Sequence, residues 1–184
     1  MKHAVLNRYE QSTEGEFVVD IAASRTEELY NNFDKSAPYI RRDLDQDLVD
    51  YLFDAAKELK NESYRIRFSL SEAPDKEKEL RIRNSVNAYF MYLAVLEQQQ
   101  VYQIFRKSLI LFFVGLVILF LSITAHDATL SMNSDVMEIF AHGLTVAAWV
   151  SLWNAFAVVL IEWFPLARNI RLYRKLAKAP VEFK

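Results

Sequence analysis

Five carboxylate side chains recur at steps of three or four positions between residues 43 and 58, a spacing that predicts one ridge of a helix. Such a ridge can face solvent, bind a cation or dock against a basic surface. Like charges at this spacing destabilise a helix by roughly 0.2–0.5 kcal/mol per pair. Arginines 65 and 67 of another copy would supply a basic surface, so the predicted docking residues are Asp43, Asp47, Asp50, Asp54, Glu58, Arg65 and Arg67.

A second group of residues with chemical potential lies between two apolar stretches. It contains His126, Asp127, Met132, Asp135, Met137, Glu138 and His142, which are residue types that ligate transition metals. No recognised ligand spacing connects them, so a metal site here is an alternative and we predict neither a metal nor a cofactor.

Recognised catalytic patterns are missing from the sequence. It has no Gly-rich phosphate loop, no zinc signature and no nucleophile with an identifiable histidine base. The absence of cysteine excludes thiolate metal sites and thiol nucleophiles. We therefore expect a protein that is not an enzyme.

Two long uncharged stretches must position these groups. Ser108–Ala125 contains 18 residues and Ile139–Ile161 contains 23, and both are rich in large apolar side chains. At 1.5 Å per residue, helices of these lengths would reach roughly 27 and 35 Å, enough to cross a bilayer. The sequence therefore predicts a two-helix transmembrane hairpin.

Flanking charges predict the orientation of this hairpin. Arg106 and Lys107 precede the first span and several basic residues follow the second, whereas the connection between the spans has acids and no Lys or Arg. By the positive-inside rule, both termini are cytoplasmic. Glu162, at the cytoplasmic end of the second span, is expected to form an ion pair with Arg106 or Lys107.

Small residues recur in both spans and predict helix contacts. Those of the second span follow a four-residue repeat, with Asn154 beside them, and those of the first span follow a seven-residue repeat typical of left-handed helix pairs. The two stripes either face each other within one hairpin or leave one surface for a neighbouring subunit. The predicted packing or oligomer residues are Ser108, Gly115, Ser122, Gly143, Ala147, Ser151, Asn154 and Ala155.

The segment before the first span predicts a small α/β domain. Glu16–Ala22 and Tyr64–Leu70 alternate like strands, residues 43–59 follow a helical period, and a further helix begins near Asp75 and enters the first span. The order favours a parallel strand pair with a helical crossover. Two strands leave open edges, so we expect the long helix, a partner or another copy of the chain to cover them, and we favour another copy.

The segment after the second span has two distinct faces. From Leu166 to Ala179 one helical face is apolar and the other basic, which is typical of a helix at an anionic membrane surface or of one packed on an acidic domain. The predicted lipid-headgroup residues are Arg168, Arg171, Arg174, Lys175 and Lys178.

These elements predict an α+β membrane protein with a β-α-β-α domain, a transmembrane hairpin and a basic amphipathic C-terminal helix. Residues 1–105 carry 14 basic and 19 acidic residues, a net charge of −5 that argues against nucleic-acid binding. The predicted segments are an N-terminal tail (1–15), cytoplasmic domain (16–105), first span (106–126), outer loop (127–136), second span (137–164) and cytoplasmic tail (165–184).

The acidic run Arg42-Asp43-Leu44-Asp45 through Tyr51-Leu52, the following strand and the charged helix entering two spans resemble small two-span bacterial inner-membrane proteins without an assigned function. The resemblance covers roughly residues 16 to 165. It implies an inner-membrane location and a cytoplasmic α/β domain, but not a reaction.

From these features we expect a self-assembling scaffold or accessory subunit, with membrane lipids, other copies and another membrane protein as partners. The alternative is a homo-oligomeric pore lined by Thr145, Ser151 and Asn154. A membrane enzyme or metal site is a more distant alternative.

Overall fold

The computed structural model describes residues 6–13, 15–34, 37–60, 62–72, 74–132 and 135–184, without the side chains of residues 128–132, 135 and 137. These residues form two compact units. The first, the soluble unit, combines the described residues up to Leu96 with Asn169–Lys184, and the second, the hairpin, is Glu97–Arg168. The C-terminal residues therefore belong to the same unit as the N-terminal ones.

The soluble unit contains a four-stranded mixed sheet rather than two strands. Its strands are β1 (Glu10–Gln11), β2 (Phe17–Ala23), β3 (Tyr64–Leu70) and β4 (Val181–Phe183), in that spatial order. β2, β3 and β4 run parallel, and β1 is antiparallel to β2. The two-stranded prediction is wrong because β1 and β4 are too short to show a period. Within the chain, β1 pairs with Phe17 and Val18 of β2, and β4 pairs with Ile66–Phe68 of β3, so both edges that were expected to recruit another copy are covered in part.

One face of the sheet forms the core of the soluble unit. Strict alternation puts Ile66 and Phe68 on this face of β3, and the parallel register aligns them with Val19 and Ile21 of β2. All four are buried, with Ile66 and Phe68 completely inaccessible. Helical residues Leu52, Ile82, Phe90 and Leu176 belong to the same apolar cluster, so burial of one face fixes the register of the sheet.

Helix α1 (Gln46–Leu59) covers this core through Val49, Leu52, Ala55, Ala56 and Leu59. It begins later than predicted because the Asp45 side chain accepts a hydrogen bond from the amide of Asp47, which makes Asp45 the N-cap. Asp43 lies before the helix. Three short 3-10 helices, Thr26–Leu29, Asn32–Asp34 and Tyr39–Arg41, precede α1.

Two long helices complete the described structure, α2 (Lys76–Met132) and α3 (Asp135–Lys178). Both contain a stretch long and apolar enough to cross a membrane. Pro165 lies inside α3, so the prediction of a separate C-terminal helix beginning after it is wrong. The last turns of α3 bury Leu172 and Leu176 in the soluble unit, and the chain then forms β4.

Candidate functional site

Small buried residues recur every seven positions along each helix of the hairpin. They are Ser108, Gly115 and Ser122 of α2 and Ala141, Ala148 and Ala155 of α3. We call these six residues the hairpin seam. A Cβ atom built on Gly115 would lie 2.9 Å from Cγ of Leu152 and 3.2 Å from its backbone nitrogen, so the backbones approach closely there.

Hydroxyl groups connect the two helices at the ends and along the middle of this seam. Ser108 Oγ donates to the carbonyl of Ala155 at 2.7 Å, and Ser122 Oγ donates to the carbonyl of Ala141 at 3.1 Å. Ser151 Oγ donates to the carbonyl of Leu111 at 3.1 Å. The seam thus satisfies polar groups that hydrocarbon could not.

The small residues that were predicted to form one stripe on α3 do not all face the same way. Ala155 is buried in the seam and Ser151 is half-buried against α2, whereas Gly143, Ala147 and Asn154 are exposed. No atom of the described residues lies within 4 Å of a Cβ built on Gly143. With Val150, which is also exposed, these three residues follow a helical period. We call Gly143, Ala147, Val150 and Asn154 the outward stripe.

The three side chains expected to line a pore do not share one face of the hairpin. Thr145 Oγ1 is hydrogen-bonded to Ser122 Oγ at 2.6 Å and lies 3.1 Å from the carbonyl oxygen of Ala141, and Ser151 is bonded to α2. Both hydroxyls are therefore used inside one hairpin. Asn154 alone of the three is exposed, and its side chain has no hydrogen bond to the part of the chain that the structure describes.

The predicted acidic ridge is divided between surface and structural roles. Asp47, Asp50 and Asp54 are exposed on α1, where Asp50 accepts from Gln46 and Asp54 pairs with Lys57 at 2.9 Å. Glu58 instead accepts a hydrogen bond of 2.7 Å from the Tyr9 hydroxyl, a contact that the sequence pattern did not suggest.

Arg65 and Arg67 pair with carboxylates in and next to the strands of their own sheet. Arg65 contacts Glu16 at 2.6 Å and Glu182 at 3.2 Å, and Arg67 contacts Glu182 at 2.9 Å. Glu10 and Asp20 lie 2.8 and 3.4 Å from Arg67. The parallel register explains the network, because Arg67 lies directly between Asp20 and Glu182. The two arginines therefore already have charge partners within the chain.

The pKa of Glu182 reflects this network. Burial would raise it, but hydrogen bonds and attraction from Arg67 and Arg65 hold it below its ordinary value of 4.5. Sequence reasoning missed Glu182 because its partner strand is distant in the sequence and β4 is only three residues long.

The cations predicted to contact lipid headgroups have different surroundings. Lys175 Nζ donates to the carbonyls of Lys60 and Glu62 at 2.7 and 2.6 Å and lies over the Tyr64 ring. Burial lowers the pKa of Lys175, partly opposed by Glu62. Lys175 thus binds the turn after α1. The other four, Arg168, Arg171, Arg174 and Lys178, are exposed, and Arg174 has an interaction within the chain.

His126 and His142 lie near each other, close to where α2 ends and α3 begins. The ring centroids of His126 and His142 are 6.3 Å apart, and His142 Nε2 lies 3.8 Å from Glu138 Oε1. No group of three or more metal-ligating His, Cys, Asp or Glu side chains occurs within the described residues. The side chains of Met132, Asp135 and Met137, named in the metal alternative, lie outside the described part.

The boundary between the charged and uncharged parts of α2 forms a cleft of about 390 Å³ lined by Gln103, Arg106, Lys107, Ile110 and Leu111. Arg106 and Lys107 are exposed and form no ion pair with any described residue. The expected pair with Glu162 is not formed, and Glu162 is exposed. Within the part of the chain that the structure describes, two cations therefore lie without counterions at the start of the apolar segment.

Comparisons with known proteins add no functional information: no protein-family model, no curated protein and no solved structure matches the chain.

Proposed function

We propose that this chain is a non-enzymatic, self-assembling protein of the bacterial inner membrane that acts as a scaffold or accessory subunit. The hairpin crosses the bilayer, and the α/β unit and both termini are cytoplasmic. Three observations support the proposal: the exposed apolar surface of the hairpin, the charges at its ends, and the outward stripe.

The exposed apolar surface favours a membrane over a soluble helical core. In the most apolar 18-residue window of each long helix, only 17% and 11% of the residues are buried. Phe113, Trp149 and Trp153 are among the exposed side chains, at 56, 68 and 73% of full accessibility. Hydrocarbon would cover this surface without further protein.

The cytoplasmic orientation follows from the charges at the helix ends. Arg106 and Lys107 precede the apolar part of α2, and Arg168 and Arg171 follow that of α3. Acidic residues dominate the opposite end. This asymmetry favours a cytoplasmic soluble unit.

Self-assembly is supported by Asn154 in the outward stripe. Residues 139–161 are centred on Val150, so Asn154 lies roughly 6 Å from the middle of the span. An amide at this depth needs hydrogen-bond partners that lipid tails lack. Because the amide both donates and accepts, Asn154 of a second copy would satisfy it. Gly143 and Ala147 would let the two backbones approach closely enough.

The pore alternative is less compatible with the geometry, because Thr145 and Ser151 already bond within the hairpin. Their hydroxyls would have to leave these partners to line a shared axis. A scaffold or accessory subunit is therefore the function that the geometry supports best.

The test is the mass of the full chain in mild detergent, with the detergent contribution subtracted. We expect a native oligomer, and we expect Gly143→Leu with Ala147→Leu to produce folded monomers. Asn154→Leu should weaken association by about 1–2 kcal/mol. Phe156→Leu, which changes an exposed side chain on another face of α3, is the matched control. A native chain that is monomeric at all practical concentrations, with no partner retained, would remove the basis for the proposal.

A further inference from the structure

The cleft at the start of the apolar part of α2 combines two chemistries on one helix face. Its five lining residues follow steps of three, one, three and one positions, from Gln103 to Leu111. Arg106 and Lys107 supply positive charge, and Ile110 and Leu111 supply an aliphatic surface one turn further into the span. Ile110 retains 55% of its accessibility, so the apolar part of the cleft is open.

This order of groups corresponds to the order of groups in a membrane lipid. Arg106 lies two residues before the uncharged stretch, roughly 3 Å outside the hydrocarbon, where headgroup phosphates are located. Guanidinium can bind a phosphate through two parallel hydrogen bonds, and ammonium adds a point charge. Ile110 and Leu111 would contact the acyl chain below.

The second observation is that the described residues supply no counterion for the two cations of the cleft. The network around Arg65 and Arg67 indicates that this chain pairs its sheet arginines with carboxylates, whereas Arg106 and Lys107 have none among the described residues, Glu162 included. Cations at a membrane boundary attract anionic lipid headgroups. We propose that this cleft binds the headgroup and first acyl segment of an anionic glycerophospholipid. The inference rests on the proposed membrane location of the hairpin.

The experiment is native mass spectrometry of the full chain released from bilayers containing equal amounts of phosphatidylglycerol and phosphatidylcholine with identical acyl chains. We expect preferential retention of phosphatidylglycerol. Arg106→Gln with Lys107→Gln should reduce its affinity roughly 25-fold, since each basic residue near the surface contributes about fivefold. Lys78→Gln with Arg83→Gln removes the same charge from exposed positions of the soluble unit and should leave the preference intact.

Two further measurements keep the outcomes separate. Inorganic phosphate should compete poorly, and Ile110→Ser should weaken retention while preserving salt sensitivity. Equal competition by phosphate would overturn the lipid assignment in favour of a simple anion site. Equal retention of both lipids, or an unchanged preference in the Arg106/Lys107 variant with a native circular dichroism spectrum, would also overturn it. The same spectra report the number of copies, so a monomer that retains the lipid contradicts only the self-assembly proposal.

Discussion

Gly115 offers the sharpest test of the hairpin seam, because its neighbours define what an added methyl group would meet. A Cβ at this position would lie 2.9 Å from two side-chain atoms of Leu152 and 3.2 Å from the Leu152 backbone nitrogen. Favourable carbon contacts occur at about 3.5–4.0 Å. The Leu152 side chain can rotate away, but its amide is fixed in α3. Gly115→Ala therefore forces the two helices apart.

Separation of the two helices at the seam costs free energy of unfolding in two ways, through overpacking and through lost hydrogen bonds. Overpacking of a close contact typically costs about 1–3 kcal/mol. The hydrogen bonds from Ser108 and Ser122 lie one heptad on either side of Gly115, and their lengths of 2.7 and 3.1 Å leave little room for separation. A loss of either would add about 0.5–1.5 kcal/mol. We expect Gly115→Ala to destabilise the hairpin by about 1–3 kcal/mol relative to its control.

Gly143→Ala is that control because a Cβ there has open space around it. Both substitutions replace glycine with alanine inside a helix, so the propensity gain of about 1 kcal/mol cancels in the comparison. The three tryptophans, residues 149, 153 and 163, all lie in the hairpin, so their fluorescence reports its unfolding selectively. Unfolding would be measured in detergent that keeps the chain monomeric. Equal stabilities of the two variants, within about 0.5 kcal/mol, would refute the close seam.

Two further predictions concern the soluble unit. Lys175→Met should destabilise it by about 1–3 kcal/mol, because two carbonyls of the turn after α1 lose their charged donor; thermal unfolding should change far less for Lys178→Met, an exposed residue of the same helix. The contribution of Glu182 to stability should be complete above its ordinary pKa of 4.5 and lost as the pH falls through its lower folded-state pKa. A Glu182→Gln variant should lack this part of the acid dependence in pH-resolved unfolding, and an unchanged profile would contradict the network.

Local patterns predicted the central elements of the fold well. The alternation in Tyr64–Leu70 predicts a strand with the correct buried face, and its parallel pairing with β2 follows from the helical crossover. The start of α1 was misplaced by three residues because aspartate occurs at positions 43, 45 and 47, and only the backbone geometry selects Asp45 as the cap. A local pattern therefore predicts whether a segment is a helix or a strand better than it predicts where the segment begins and ends.

The C-terminal segment demonstrates what a single amphipathic pattern leaves open. Leu172 and Leu176 form an apolar face that would suit a membrane surface as well as a protein core. They are buried in an apolar cluster that includes residues more than 80 positions earlier, such as Phe90 and Ile66. β4 then pairs with β3 and brings Glu182 to Arg67. No local period contains this information, so the network on the sheet could not be predicted.

The small residues of the hairpin follow two repeats, one of seven and one of four residues, and the length of the repeat determines whether they stay on one helix face. A seven-residue repeat keeps side chains facing the same partner along a left-handed pair, and the seam uses this repeat on both helices. A four-residue repeat drifts around the helix by about 40° per step. Gly143 and Ala155, three such steps apart, consequently lie on different faces. Small residues at this spacing can therefore contact two different helices. Near residue 155 they contact α2 of the same chain, and near residue 143, by our proposal, they contact a second copy.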